Sequence, residues 1–175
     1  DEAGAPAGVL GWRTVPGVCF RGSLARTAGD FNDLADEFED GDFELRPLAV
    51  RQSGSEGEAR NGKDRYRAGT HSQERLANHY ALYFGYDVGL VEYACASAPD
   101  RVLLVMSDSY DNSLEPLLAQ HYRKALFVDT RHYAADTGRP FRLGAFIREH
   151  KVDDVIFLGA QAEVLGTAPA AKPRR

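Results

Sequence analysis

The residues able to do chemistry in this sequence stand at the ends of apolar runs. After Val102-Leu103-Leu104-Val105-Met106 comes Ser107-Asp108-Ser109-Tyr110-Asp111-Asn112-Ser113. Where a strand gives way to a helix, the unpaired amides of the first helical turn point back at the strand's end. A serine at that junction, Ser109, can attack an acyl carbonyl while its own amide and a neighbour's stabilise the oxyanion. The same residues also read as a turn and helix cap, the ordinary use of Ser, Asp and Asn at such places. Spacing alone leaves both readings open.

A second junction follows Leu126-Phe127-Val128, where Asp129-Thr130-Arg131-His132-Tyr133 gathers groups that bind anionic or sugar substituents. Its alternative is an Asp129–Arg131 pair or a helix cap. The third junction, Gly159-Ala160-Gln161 after Val155-Ile156-Phe157-Leu158, offers close backbone approach and is expected to be structural.

A serine nucleophile needs a histidine that is itself held in place. His121 and His150 fall in the distal parts of helices, and no Asp-x-x-His occurs near the end of the chain, so His132 is the best local candidate. His71 and His79 have no partner at metal-ligand spacing. Cys19 and Cys95 are too few for a disulfide scaffold or a zinc site, and read as buried thiols or, in an exported protein, one disulfide. No metal ion or other cofactor is expected. A phosphate site at the Ser109 helix start lacks the glycine-rich loop such sites use.

These junctions need elements to position them. Apolar runs at Val88–Tyr93, Val102–Met106, Leu126–Val128 and Val155–Leu158 alternate with helical spacing. Leu114, Leu117, Leu118 and Tyr122 share one helical face, with Pro116 tolerable in the first turn, and Leu143, Phe146, Ile147 and His150 share another. Continuous apolar strands are what a parallel sheet covered on both faces requires. The expected fold is therefore α/β, a three-layer sandwich with a mainly parallel sheet. In such sheets ligands bind beyond the carboxyl ends of the strands, which is where the three junctions lie.

Upstream, Gly17 to Gly22 reads as a short strand. Asp30 to Glu44 holds eight acidic residues and no basic one, with Phe31, Leu34, Ala35 and Phe38 at helical spacing. An amphipathic helix with an acidic, solvated face is expected there, since the run lacks calcium-loop spacing. Residues 43–50 look extended, 51–69 read as a long mobile loop, and 72–84 as a helix packed on the sheet. One domain over residues 1–165 and a disordered tail over 166–175 complete the reading.

The chain has 175 residues, a size at which one domain buries a sizeable core. With 43% hydrophobic and 27% charged residues, collagen-like, low-complexity and disordered classes are excluded. Twenty-one Lys and Arg against 26 Asp and Glu give a net charge of -5, without the basic excess that attracts nucleic acid. No apolar run approaches the roughly 18 residues of a bilayer span, and the first ten residues lack signal-peptide character.

The segment Leu103–Tyr133, LLVMSDSYDNSLEPLLAQHYRKALFVDTRHY, resembles the DHHW family of bacterial cell-envelope proteins. The family's motif here is Lys-Asp-Ser-Tyr-x-Asn, a helix, and a strand ending in Val-Asp-x-Arg-Tyr-Tyr. Weaker resemblance extends to Phe20-Arg21-Gly22-Ser23, to the His79–Gly85 segment and to Asp154–Leu158. The family is similar to SGNH hydrolases and to alginate O-acetyltransferase proteins, which move or remove acetyl groups on exported polysaccharides. The resemblance implies an SGNH-like (flavodoxin-like) fold with Ser109 as nucleophile. It assigns Asp108 and Asn112 to the turn and oxyanion site, and Tyr110, Arg131 and His132 to substrate binding.

In these relatives the base and its carboxylate come from an upstream Asp-x-His-Trp or Asp-His-His-Trp segment. The only tryptophan here is Trp12, between Gly11 and Arg13, so that segment is expected before Asp1 and the chain is read as the carboxyl-terminal part of such a domain. Where the motif has lysine, this chain has Ser107. The implied function is an envelope acyl esterase or O-acetyltransferase acting on a glycan. The competing reading is a non-catalytic envelope binding or assembly module that keeps the fold. Its partner would be a polysaccharide or other acylated glycan and its location extracellular or in the cell envelope, any anchor or signal lying upstream.

Overall fold

In the central strands, apolar side chains alternate between two destinations, and that alternation builds the layers. The structure, a computed structural model, describes residues 9–20, 36–53, 59–61 and 87–159. Two strands, β1 (Val9–Phe20) and β2 (Asp36–Phe43), pair antiparallel as a separate ribbon. The main sheet contains β3 (Ala49–Gln52), β4 (Ala59–Asn61), β5 (Leu90–Ala94), β6 (Val102–Ser107), β7 (Lys124–Asp129) and β8 (Asp154–Leu158), in the order β4-β3-β5-β7-β6-β8.

Period-two alternation sends Leu103 and Val105 of β6, Ala125 and Phe127 of β7, Val91 and Tyr93 of β5 and Val50 of β3 to one face. That face is covered by Ala119 of α1 (Glu115–Ala119), flanked by Leu118 and Tyr122. Leu104, Leu126 and Val128 go to the other face, where Tyr133 of α2 (Thr130–Thr137) and Phe146 of α3 (Leu143–His150) cover them. Edge-to-face contacts lock both sides: Tyr93 lies 5.6 Å from Phe127, and Tyr133 lies 5.2 Å from Phe141, centroid to centroid. The result is an α/β architecture with helices on both faces of the sheet.

Strands β6, β7 and β8 run parallel, joined by helical crossovers. The rest of the sheet departs from the expected mainly parallel pattern. Strand β5 is antiparallel to β7, and β3 and β4 extend the antiparallel part. The reason is length: only residues 95–101 separate β5 from β6, whereas a parallel crossover needs about a dozen or more. This reversal matters for the site, because it brings the residues before β5 to the edge where β6 and β7 end.

Other elements also differ from expectation. The second half of the expected acidic helix, Asp36–Phe43, is strand β2, registered against β1 from Val9↔Phe43 to Phe20↔Asp36. Four apolar positions are a weak helical signal, and Asp40, Gly41 and Asp42 are poor helix formers, so cross-strand pairing prevails. Residues 51–52 and 59–61, expected in a loop, belong to β3 and β4, because ladder hydrogen bonds need no apolar side chains. Ser53 continues the pairing, donating its backbone N–H to Leu90 O at 2.9 Å. In α1 the buried residues are Glu115, Pro116 and Ala119; of the expected row Leu118 and Tyr122 pack against the core, while Leu114 is exposed.

The α3 face is as read, with Phe146 buried and Leu143, Ile147 and Val152 packed around it. Cys95 is a buried free thiol. The side chain of Cys19, the expected helix over 72–84, His71, His79, Ser23 and the tail 166–175 lie outside the described residues. Among the described residues no helix is long and apolar enough to cross a membrane.

Candidate functional site

At the carboxyl end of β6 the chain makes a single 3-10 turn, Ser109–Asp111, before α1. Asp108 caps it. The Asp108 carboxylate accepts the Tyr110 N–H at 3.0 Å, and the Asp108 carbonyl accepts the Asp111 N–H at 3.2 Å. Asp108 thus performs the turn-forming role expected of it, and the Tyr110 amide is committed to the cap. Of the two amides expected to serve an oxyanion, the neighbour's is therefore already used inside the turn. The Asp108 carboxylate packs against Gly159, where an added Cβ would stand 3.0 Å from Oδ2, so the third junction supplies the close backbone approach expected of it.

Ser107 stands where the family motif has lysine, and its hydroxyl donates to the Asp111 carboxylate. Ser109 itself is half-buried at the start of the turn, and Tyr110 next to it is 64% exposed.

At the second junction, at the end of β7, the structural alternative holds in both its forms, pair and cap, and Tyr133 of the expected cluster is buried in the core instead. Asp129 caps α2, accepting the Arg131 N–H at 2.9 Å, and the same carboxylate grips the Arg131 side chain: Nε at 3.0 and 3.1 Å, Nη2 at 2.6 Å. His132 Nε2 lies 4.0 Å from Asp129 Oδ2.

The two junctions are joined by a residue that no sequence signal marked. Asp87, just before β5, accepts the Asn112 Nδ2–H at 3.0 Å through one oxygen and the Arg131 Nη2–H at 3.2 Å through the other. It lies 25 residues from Asn112 and 44 from Arg131, and only the antiparallel course of β5 delivers it. Its backbone neighbour Gly89 fixes the approach: its N–H donates to Asp136 Oδ2 at 2.6 Å, and a Cβ there would fall 2.4 Å from Tyr133 Cα.

Between these groups lies a small cleft of about 10 Å³, room for one water, lined among others by Asp87, Ser107, Asp108, Asp111, Asn112 and Asp129, whereas Ser109, Tyr110, Arg131 and His132 do not line it. Its deeper wall carries Glu115, whose buried carboxylate accepts the Tyr93 hydroxyl at 2.8 Å. Asp87, Asp129 and His132 have potential ligand atoms within 4.8 Å of one another. The cation bonded to both carboxylates is the Arg131 guanidinium, so the donor set is already engaged. The structure therefore links Asn112 to Arg131 through Asp87 and sets His132 near Asp129, while Ser109 and Tyr110 sit on the turn between Asp108 and Asn112.

No protein-family model matches the sequence, and no curated protein matches it. Among solved structures the chain is similar to a DHHW family protein from Eubacterium siraeum, at 18% identity and a TM-score of 0.61, over 89% of this chain and 49% of that one. It is also similar to Bacillus cereus PatB1, at 18% identity and a TM-score of 0.53, over 77% of this chain and 46% of that one. The PatB1 structure with a sulfonyl adduct gives a TM-score of 0.57 at 18% identity, over 77% of this chain and 44% of that one. The chain spans about half the length of these solved structures. The likeness shows the fold they share.

Proposed function

We propose that this chain carries the nucleophile end of an SGNH-like acyl esterase or O-acetyltransferase that acts on a glycan of the cell envelope. The observation that carries the reading is the position of Ser109. It opens a capped turn at the carboxyl end of β6, a strand flanked by two parallel neighbours, between Asp108 and Asn112, which both line the cleft. A shared fold with PatB1, whose structure includes a sulfonyl adduct, supports it, since sulfonyl reagents are captured by activated nucleophiles.

In this mechanism the Ser109 Oγ attacks the acyl carbonyl carbon and its proton passes to an imidazole. The carbonyl electrons move onto oxygen, and collapse of that oxyanion expels the alcohol, which takes up the proton. Water or a sugar hydroxyl then removes the acyl group from Ser109. The imidazole is assigned to the upstream segment that the family resemblance implies, and Tyr110, Arg131 and His132 to the rim where the glycan docks.

A second reading, a non-catalytic envelope binding or assembly module, is favoured by one feature: the Tyr110 and Asp111 amides are both bonded to Asp108, so neither is left for an oxyanion. Mass spectrometry after incubation with a fluorophosphonate probe separates the two. The serine-enzyme reading expects one adduct, on Ser109, in this chain or in a form extended upstream, and its complete loss in Ser109→Ala. An unlabelled protein in both forms, folded by circular dichroism, leaves the binding module.

A further inference from the structure

Asn112 and Ser109 belong to one turn, and the reach of Asn112 is set from outside that turn. Its side chain is buried, lines the cleft and donates one of its two amide hydrogens to Asp87. A primary amide fixed through one N–H has its other N–H fixed as well, because the group is planar. Asp87 is in turn held by Arg131, which Asp129 grips through three contacts, and by the Gly89 backbone locked against α2. A continuous chain of bonds therefore runs from α2 through Asp87 to Asn112.

From this geometry we infer that Asp87 is a positioning residue for acyl transfer at Ser109. It aims the second N–H of Asn112 at the carbonyl oxygen of the substrate, which becomes negative as Ser109 attacks. The inference rests on the serine-nucleophile reading. It answers the loss of the Tyr110 amide to the cap by supplying a side-chain N–H as an oxyanion donor. Asparagine side chains serve such sites, and their removal costs about 10²–10³-fold in rate. Asp87 touches no reacting atom. It acts by denying Asn112 its rotational freedom, and misplacement of this kind costs up to about 100-fold.

The test is turnover of an activated acetyl ester by the wild-type protein, in the upstream-extended form if that is the form labelled, and by Ser109→Ala, Asp87→Asn, Asn112→Ala and the Asp87→Asn/Asn112→Ala double variant. Asp87→Asn is expected to lower kcat about 10- to 100-fold with KM within about twofold. The double variant should be no slower than Asn112→Ala, because Asp87 has nothing left to aim. A kcat within twofold of wild type in Asp87→Asn, or single losses that multiply in the double variant, overturns the assignment while leaving Ser109 in place. Undiminished turnover in Ser109→Ala overturns the nucleophile reading and this one with it. If Asp87→Asn fails to fold, Asp87→Glu replaces it: the charge is kept, the carboxylate moves by one methylene, and the same fall in kcat is expected.

Discussion

Arg131 holds the two junctions of the site in a way that no other basic residue can imitate. Its Nε and Nη2 reach both oxygens of Asp129, and Nη2 also reaches Asp87 at 3.2 Å. A planar fork makes these bonds together, whereas an ammonium is a single point charge. Asp129 is nearly buried, so removing the guanidinium strands a desolvated carboxylate. Arg131→Ala is expected to cost about 1–3 kcal/mol in urea denaturation, and Arg131→Lys to recover less than half of that. Equal stabilities for Lys and Arg would mean that charge alone is what Asp129 requires. The Asp129-Thr130-Arg131 triplet made this contact readable in sequence, because a cap residue and its i+2 partner are neighbours by construction. Asp87 was not readable: its partners lie 25 and 44 positions away, and nothing local to Tyr86-Asp87-Val88 distinguishes a network carboxylate from a loop one.

At the scale of elements, the site exists because β5 runs against β7 and presses its first residues onto α2. Gly89 is the point of closest approach, with Tyr133 Cα 2.4 Å and Tyr133 N 2.6 Å from where a Cβ would sit. Both neighbours are backbone, so a side chain there displaces strand or helix. Gly89→Ala is expected to lose about 1–3 kcal/mol, read as a fall in melting temperature. It should also weaken the Asp87 contacts, since residue 87 lies two positions away. A melting curve that superposes on wild type would show that α2 shifts freely. The parallel strands β6, β7 and β8 were legible because each is a continuous apolar run with a helix-length connection behind it. The direction of β5 was equally available in the short gap at 95–101. The strand at Asp36–Phe43 was not, because its partner lies in β1 and short apolar spacing fits either period.

Across the whole molecule, the groups among the described residues whose titration is shifted collect at the edge opposite the cleft. Tyr122 precedes β7 and His150 ends α3, near the amino ends of β6, β7 and β8, while Ser109, Arg131 and Asp87 lie at the carboxyl ends. Burial, followed by the neighbouring Lys124, lowers the His150 pKa below 6.5, and the ring packs 4.2 Å from Phe146. Burial, followed by Asp154, raises the Tyr122 pKa above 10.0. The signs follow from which state takes or loses the proton first. As pH falls below about 6.5 the unfolded chain protonates its histidine before the folded one does, so stability drops until the lowered folded value is passed. As pH rises above about 10 the unfolded chain loses its tyrosine proton first, and stability drops again. Between these limits neither group contributes a slope. His150→Gln should flatten the fall that begins below about 6.5 and leave the alkaline one, and Tyr122→Phe should do the reverse, both measured as urea midpoints against pH. Because the two groups sit away from the cleft, each variant should leave the pH profile of ester turnover where the wild type has it. A turnover profile that moved with either substitution would show that the two edges of the sheet are coupled.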